Sequence, residues 1–140
     1  MILLDTNVVS EAMKPTPNPA VLAWLDAQAA ETLYISSVTI AELLFSIGAL
    51  PVGKRKDRLA VALDNTLQIF ANRILTFDTM AAWSYADLAV KAQKVKKSFA
   101  VPDAYIASIA AAHGLTVATR FAGPFETAQV PVIDPWAAGK

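Results

Sequence analysis

Four apolar residues open the chain, Met1-Ile2-Leu3-Leu4, and the run stops abruptly at Asp5. A short, unbroken apolar run of this kind suits a strand covered on both faces, as in a parallel sheet. Runs of the same character predict strands at 2–5, 33–36, 74–77 and 115–119, with a last short one at 130–133. Between them the spacing of apolar residues changes to three and four, the helical period. A first helix starts near Asn7. Thr16-Pro17-Asn18-Pro19 opens one running to about Ala30, with Val21, Leu22 and Leu25 as its stripe. Ser36-Ser37 opens another that ends at Pro51, and Leu59, Leu63, Leu67 and Phe70 mark the face of a third. Asp78 is placed to cap a helix through Lys97. Pro102 suits the first position of a last helix, which ends in Ala-Ala-His-Gly-Leu. The order β-α-α-β-α-α-β-α-α-β, then a final strand, implies one α/β domain over residues 1–140. Its architecture is three-layer α/β/α on a mainly parallel five-stranded sheet.

Composition sharpens this picture in two ways. Apolar residues are 55% of the chain and charged ones 17%, so either the sheet is covered on both faces or apolar surface belongs to a partner. No apolar run is long enough to span a bilayer, since Val38–Leu50 is interrupted by Glu42, and the N-terminus has no basic region or cleavage site. The expectation is a soluble, cytoplasmic protein. Cysteine is absent, which excludes disulfides and thiolate metal sites. Twelve basic and twelve acidic residues leave no net charge, yet residues 54–58 (KRKDR) and 91–97 (KAQKVKK) hold eight of the twelve cations. Charge runs are ordinarily solvated helix faces. Concentrated positive charge also suits local contact with phosphates.

Asp5 stands where the first strand emerges at its carboxyl end, the edge at which open α/β sheets bind ligands. It is equally well placed to cap the helix that follows. Glu42 lies about one turn into the helix after the second strand, and Asp103 in the first turn of the helix at Pro102. Strand-to-helix turns of a parallel sheet all open on one edge, so the three carboxylates can converge there. Glu42 is the most telling, because its neighbours are almost wholly apolar and a buried charge needs a partner or a cation. Its structural alternatives are a capping contact with Ser37 or Thr39, or an ion pair with Arg120. Clustered carboxylates repel unless a cation compensates. Oxygen-only ligands and a single histidine point to Mg²⁺ or Mn²⁺ rather than zinc. His113, before a glycine in a helix's last turn, reads as structural. No nucleophilic triad and no glycine-rich phosphate loop is present.

The segments LLDTNVVSE, ISSVTIAELLFSI, VPDAYIASIAAAHGL, TVATR and VIDPW follow one another in an order that resembles the PIN-domain ribonucleases. Within them the chain is similar to the VapC-type toxins of bacterial toxin–antitoxin pairs. The likeness runs from Met1 to Trp136. It implies a flavodoxin-like parallel sheet, Mg²⁺- or Mn²⁺-dependent RNA cleavage, homodimerisation and inhibition by a cognate antitoxin, with DNA contacted only through that antitoxin. By position, it makes Asp5, Glu42 and Asp103 the metal-binding acids and Thr119 a polar active-site residue. One stretch departs from the pattern. After Thr119-Arg120 the family has Asn, two residues, then Asp-Phe; here Phe121 and Pro124 stand in place of the Asn and the Asp. Proline contributes no carboxylate, so neither a second metal ion nor full activity carries over, and Glu126 is offset in the backbone.

Two functions follow as expectations. The first is an endoribonuclease toxin in which water attacks an RNA phosphodiester in line, with lysines or Arg120 steering the backbone. The second is a catalytically weakened PIN domain that serves mainly as an antitoxin-binding partner in a DNA-bound repressor complex. Phosphatase-like α/β folds fit less well, because they need an aspartate where this chain has Asn7.

Overall fold

A computed structural model of the protein describes residues 1–138. Five parallel strands, β1 (Ile2–Leu4), β2 (Leu33–Ser36), β3 (Ile74–Leu75), β4 (Thr116–Ala118) and β5 (Val132–Ile133), form one sheet in the order β3-β2-β1-β4-β5. Strand β1 is central because it is the most completely enclosed. Leu3 and Leu4 are both buried but point to opposite faces, as consecutive strand residues must. Leu3 joins Ile106, Ile109, Val117 and Phe125 in one core. Leu4 joins Val8, Val21, Ile35, Leu43 and Leu63 in the other. Helices α1 (Thr6–Ala12), α2 (Pro19–Asp26), α3 (Ser37–Gly48) and α4 (Lys54–Ile69) supply the second core. Helices α5 (Thr79–Lys94), α6 (Asp103–His113) and α7 (Gly123–Thr127) supply the first. Both faces are therefore covered, which is why the strands read as apolar runs.

Local chemistry sets the helix ends. Asn18 and Ser36 accept backbone N–H bonds at the starts of α2 and α3, and Asp78 does so at α5. Gly114 closes α6 with φ +66, in the left-handed region that glycine enters without strain.

The expected boundaries need four corrections. Helix α2 stops at Asp26, not Ala30, and a 3₁₀ turn at Ala30–Thr32 leads into β2. Leu22 of its expected stripe is 43% exposed, because only Val21 of that helix reaches the buried core. Helix α5 ends at Lys94 rather than Lys97. Lys96 turns left-handed (φ 57), and the Lys97 N–H folds back to the Ala92 carbonyl at 2.9 Å, which takes Lys97 out of line with Lys91 and Lys94. The short α7 was not expected; it forms because Phe125 is drawn fully into the core. The strands are also shorter than 2–5, 74–77, 115–119 and 130–133. The sheet's bonding nevertheless continues one residue past β1 and β4, through Asp5 N–H to Ala118 (2.9 Å) and Thr119 N–H to Ile133 (2.9 Å). Among the described residues no helix is long and apolar enough to cross a membrane.

Candidate metal centre

The two strands β1 and β4 run out side by side at the carboxyl edge, so the residues just beyond them, Asp5 and Thr119, meet although 114 positions apart. Thr119 donates its hydroxyl to Asp5 Oδ2 at 2.8 Å, and Asn7 Nδ2 donates to the same oxygen at 3.0 Å. Asp5 Oδ1 accepts the Thr6 N–H at 2.8 Å, so capping α1 and facing the edge are one placement. Asn7 also donates to Thr119 Oγ1 (3.0 Å) and accepts from the Arg120 N–H (3.1 Å), tying α1 to the end of β4. The Phe121 N–H donates to Thr119 Oγ1 as well, at 3.1 Å. Asp5 is thus held in one rotamer by donors from two elements.

A second chain of bonds reaches the edge from β2 and α3. Ser36 Oγ lies 3.3 Å from Thr39 Oγ1, Thr39 Oγ1 lies 3.1 Å from Thr6 Oγ1, and Thr6 Oγ1 donates to Glu42 Oε1 at 2.6 Å. Each hydroxyl has one proton. Since Thr6 gives its proton to Glu42, Thr39 must donate to Thr6 and Ser36 to Thr39. The row therefore points all its protons toward the Glu42 carboxylate, and such aligned bonds strengthen one another.

Burial is the largest influence on Asp5 and pushes its pKa up from 3.8 to about 6. The bonds from Thr119 and Thr6 oppose that rise, while the charges of Asp103 and Glu42 add to it. Asp103, the first residue of α6, is half-buried and also raised, by desolvation. It acts on Asp5 through charge rather than through the hydrogen-bonded rows. Among the described residues, no three His, Cys, Asp or Glu side chains stand close enough together to hold a metal ion by themselves. An open set of carboxylate oxygens suits Mg²⁺, which takes one or two protein carboxylates and completes its shell with water and substrate oxygens. A buried carboxylate whose ionisation is opposed by two like charges is chemically matched to a divalent cation. The residues present fit such an ion.

The predicted acids thus come to one edge, with Asp5 and Glu42 in a common network and Asp103 across from them. The expected partners of Glu42 were not the right ones. Ser36, not Glu42, caps α3, and the Arg120 guanidinium lies over the Trp136 ring at 5.2 Å. Its charge helps hold the Glu11 pKa low, an effect led by the Lys14–Glu11 pair at 2.9 Å. His113 is exposed in the last turn of α6, as its glycine neighbour predicts. Phe121 is exposed, and Pro124 lies in the first turn of α7 beside the same cleft as Asp103. Sequence reasoning gave Thr6, Asn7 and Thr39 capping roles at most and missed that they orient Asp5 and Glu42. A signal was available: two polar residues follow Asp5 directly, and capping needs only one of them.

A family model described as PIN domain matches residues 2–121. The chain is 52% identical over 139 residues to plasmid stability protein StbB of Pseudomonas syringae pv. tomato, covering 99% of this chain and 100% of that protein. It is 50% identical to VapC ribonuclease Y4jK of Sinorhizobium fredii (97% and 98% covered). Its identity to toxin FitB of Neisseria gonorrhoeae is 47% (97% and 99% covered). The crystal structure of FitAcB from Neisseria gonorrhoeae superposes with a TM-score of 0.92 at 46% identity, covering 98% of this chain and 99% of that one. A structure of FitAB bound to an IR36 DNA fragment gives 0.92 at 43%, with 100% and 99% covered. With the strand order, the acids at the carboxyl edge and these matches in agreement, the chain belongs to the PIN domain family.

Proposed function

We propose that residues 1–140 act as a single PIN unit, a Mg²⁺- or Mn²⁺-dependent endoribonuclease that is the toxin of a cytoplasmic type II toxin–antitoxin pair. The observation that carries this reading is Asp5. It is a carboxylate fixed by Thr119 and Asn7, whose burial, with a smaller contribution from two further acids, raises its pKa to about 6. Relatives named VapC ribonuclease and toxin FitB support the same class. When bound at this edge, a divalent ion would supply Lewis-acid chemistry to a phosphodiester and to water. Asp5, Glu42 and Asp103 are the residues that would hold it. Thr119 and Asn7 keep Asp5 turned to the edge, and the Ser36-Thr39-Thr6 row keeps Glu42 oriented. The test is cleavage of an RNA oligonucleotide by the purified chain with Mg²⁺ or Mn²⁺ and with chelator. Cleavage that ignores the chelator, or is absent with either metal, removes the reading.

A second reading is favoured by Phe121 and Pro124: a weakened nuclease whose main task is to bind its antitoxin within a DNA-bound complex. A groove between α1, α3 and α4, lined by Met13, Leu43, Ile47, Leu50 and Leu59 together with Ser10, Ser46 and Arg55, suits an amphipathic antitoxin helix. The structures of FitAB and of its DNA complex support a partner of this kind. On α5, exposed Met80, Trp83 and Val90 share one face, which suits a second copy of the chain. Light scattering that finds only monomer at high concentration removes the homodimer.

A further inference from the structure

The three acids at the carboxyl edge are held in different ways. Asp5 accepts from Thr119, Asn7 and the Thr6 N–H, and Glu42 accepts from Thr6. The Asp103 carboxylate has no such donor among the described residues. Its helix start is bare as well. Asp5, Asn18, Ser36 and Asp78 cap α1, α2, α3 and α5, whereas Pro102 precedes α6 without a side-chain cap.

Packing fixes the start of α6 instead. The Tyr105 ring lies against Phe77 (centroids 4.4 Å apart, planes tilted by 43°) and meets Tyr85 edge-on at 5.3 Å. Tyr85 in turn meets Phe77 edge-on at 6.4 Å and stacks on Phe99 at 6.0 Å, with 15° between planes. These are separations and orientations at which aromatic rings attract one another. The four rings come from four places. Phe77 follows β3, Tyr85 lies on α5, Phe99 belongs to the segment between α5 and α6, and Tyr105 lies in the first turn of α6. They tie that turn to the end of an edge strand and to the neighbouring helix. Ala104 and Ile106, on either side of Tyr105, are fully buried, so α6 cannot roll without moving a core residue or a ring. Asp103 and Tyr105, two residues apart, project to opposite sides of the turn. A shift of the ring is therefore delivered to the carboxylate through the backbone between them.

We propose that Phe77, Tyr85, Phe99 and Tyr105 form the element that positions Asp103, with Tyr105 as the positioning residue. Ring packing does for this acid what hydrogen bonds do for Asp5 and Glu42. The inference rests on the metal-dependent ribonuclease reading above and adds residues that act on the reaction only through the acid they place. A misplacement of about 1 Å costs about a hundredfold in rate. Loss of a group that orients a metal ligand costs about 10–100-fold in metal affinity.

The test measures Mn²⁺ affinity by calorimetry without RNA, beside kcat and KM for an RNA oligonucleotide, in the full-length chain. Tyr105→Leu should weaken Mn²⁺ binding about tenfold or more and lower kcat by a similar factor, with KM for RNA little changed. Tyr105→Phe keeps the ring and should restore both. Tyr85→Leu, further from the acid, should give the same pattern at reduced size, and it carries the test if Tyr105→Leu does not fold. Combining the two should cost less than the sum of the separate losses, because both act through one contact. Val21→Ala, in the other core, reports what lost stability does by itself and should leave Mn²⁺ affinity as in the parent. Folded leucine variants with parental Mn²⁺ affinity and kcat would overturn the inference. So would a loss in Tyr105→Phe equal to that in Tyr105→Leu, which would make the hydroxyl the active group, or an equal loss in Val21→Ala. A parent that cleaves RNA while the leucine variants are silent leaves the ribonuclease reading standing and removes the positioning element. A parent that binds Mn²⁺ in a Tyr105-dependent way without cleaving does the reverse, and one that does neither removes both.

Discussion

Asp5, Thr6, Thr39, Glu42 and Thr119 share hydrogen bonds that join β1, β2 and β4 through the starts of α1 and α3, with Asp5, Thr39 and Thr119 buried and Thr6 and Glu42 partly so. Asp103 meets the same edge from the start of α6, flanked by the turn at Lys96 and the short α7. The first half owes its geometry to strand register and to donors that have no water to turn to. The second is set by a few packed aromatics and two left-handed turns. What the difference teaches is where this fold tolerates change. The departures from the family pattern, Phe121 and Pro124, lie toward the second half, where Phe121 is exposed and Pro124 lines the open cleft.

The largest expected effect breaks the rigid half. Asp5→Ala or Glu42→Ala should abolish metal-dependent RNA cleavage and relieve growth arrest on expression, with circular dichroism confirming that the variants fold. Two folded variants as toxic as the parent would dissolve the proposed triad.

Next is the pH dependence of the rigid half. Asp5 titrates at about 6 in the folded chain and near 3.8 when unexposed surroundings are lost, so the folded state binds its proton more tightly. The stability this provides is complete below pH 3.8 and is lost as pH rises through about 6, a loss of about 3 kcal/mol. Without metal, the parent should therefore weaken between pH 4 and 7 relative to Asp5→Asn, as read by urea unfolding in chelator. Mg²⁺ should have the opposite trend, binding more weakly as pH falls below 6, because proton and cation compete for one carboxylate. Parallel urea curves for parent and variant would mean that Asp5 is not strained by its surroundings.

Restoring the family's residues sharpens the open half. Pro124→Asp with Phe121→Asn should raise Mg²⁺ or Mn²⁺ affinity about tenfold and speed cleavage, while lowering stability in chelator as like charges crowd together. Calorimetric titration beside a cleavage time course decides it. Two tightly bound ions in the parent, or no gain in the double variant, would show that Pro124 marks no missing ligand.

The smallest effect comes from the turn at the end of α5. Lys96→Gly removes a side chain from a left-handed position and should stabilise the chain by about 1 kcal/mol or less. A melting temperature lowered by this change would mean that the Lys96 side chain contributes contacts outweighing the backbone cost.

Most of the fold was legible because burial leaves a local trace. Unbroken apolar runs mark strands enclosed on two faces, and spacings of three and four mark helices with one covered side. Ser36, Asp78 and Gly114 announced their helix ends by side-chain chemistry alone. The edge at which Asp5, Glu42 and Asp103 gather also followed from strand direction, with no contact known. Register and partner choice did not. Thr6 meets Glu42 across 36 positions and Thr119 meets Asp5 across 114, and each hydroxyl has many acceptors that local pattern cannot rank. Arg120 lies over Trp136 instead of pairing with Glu42, because the residues that follow β5 bring the ring alongside. Periodicity reports whether a side chain is buried; which donor reaches it is decided only when the strands have aligned.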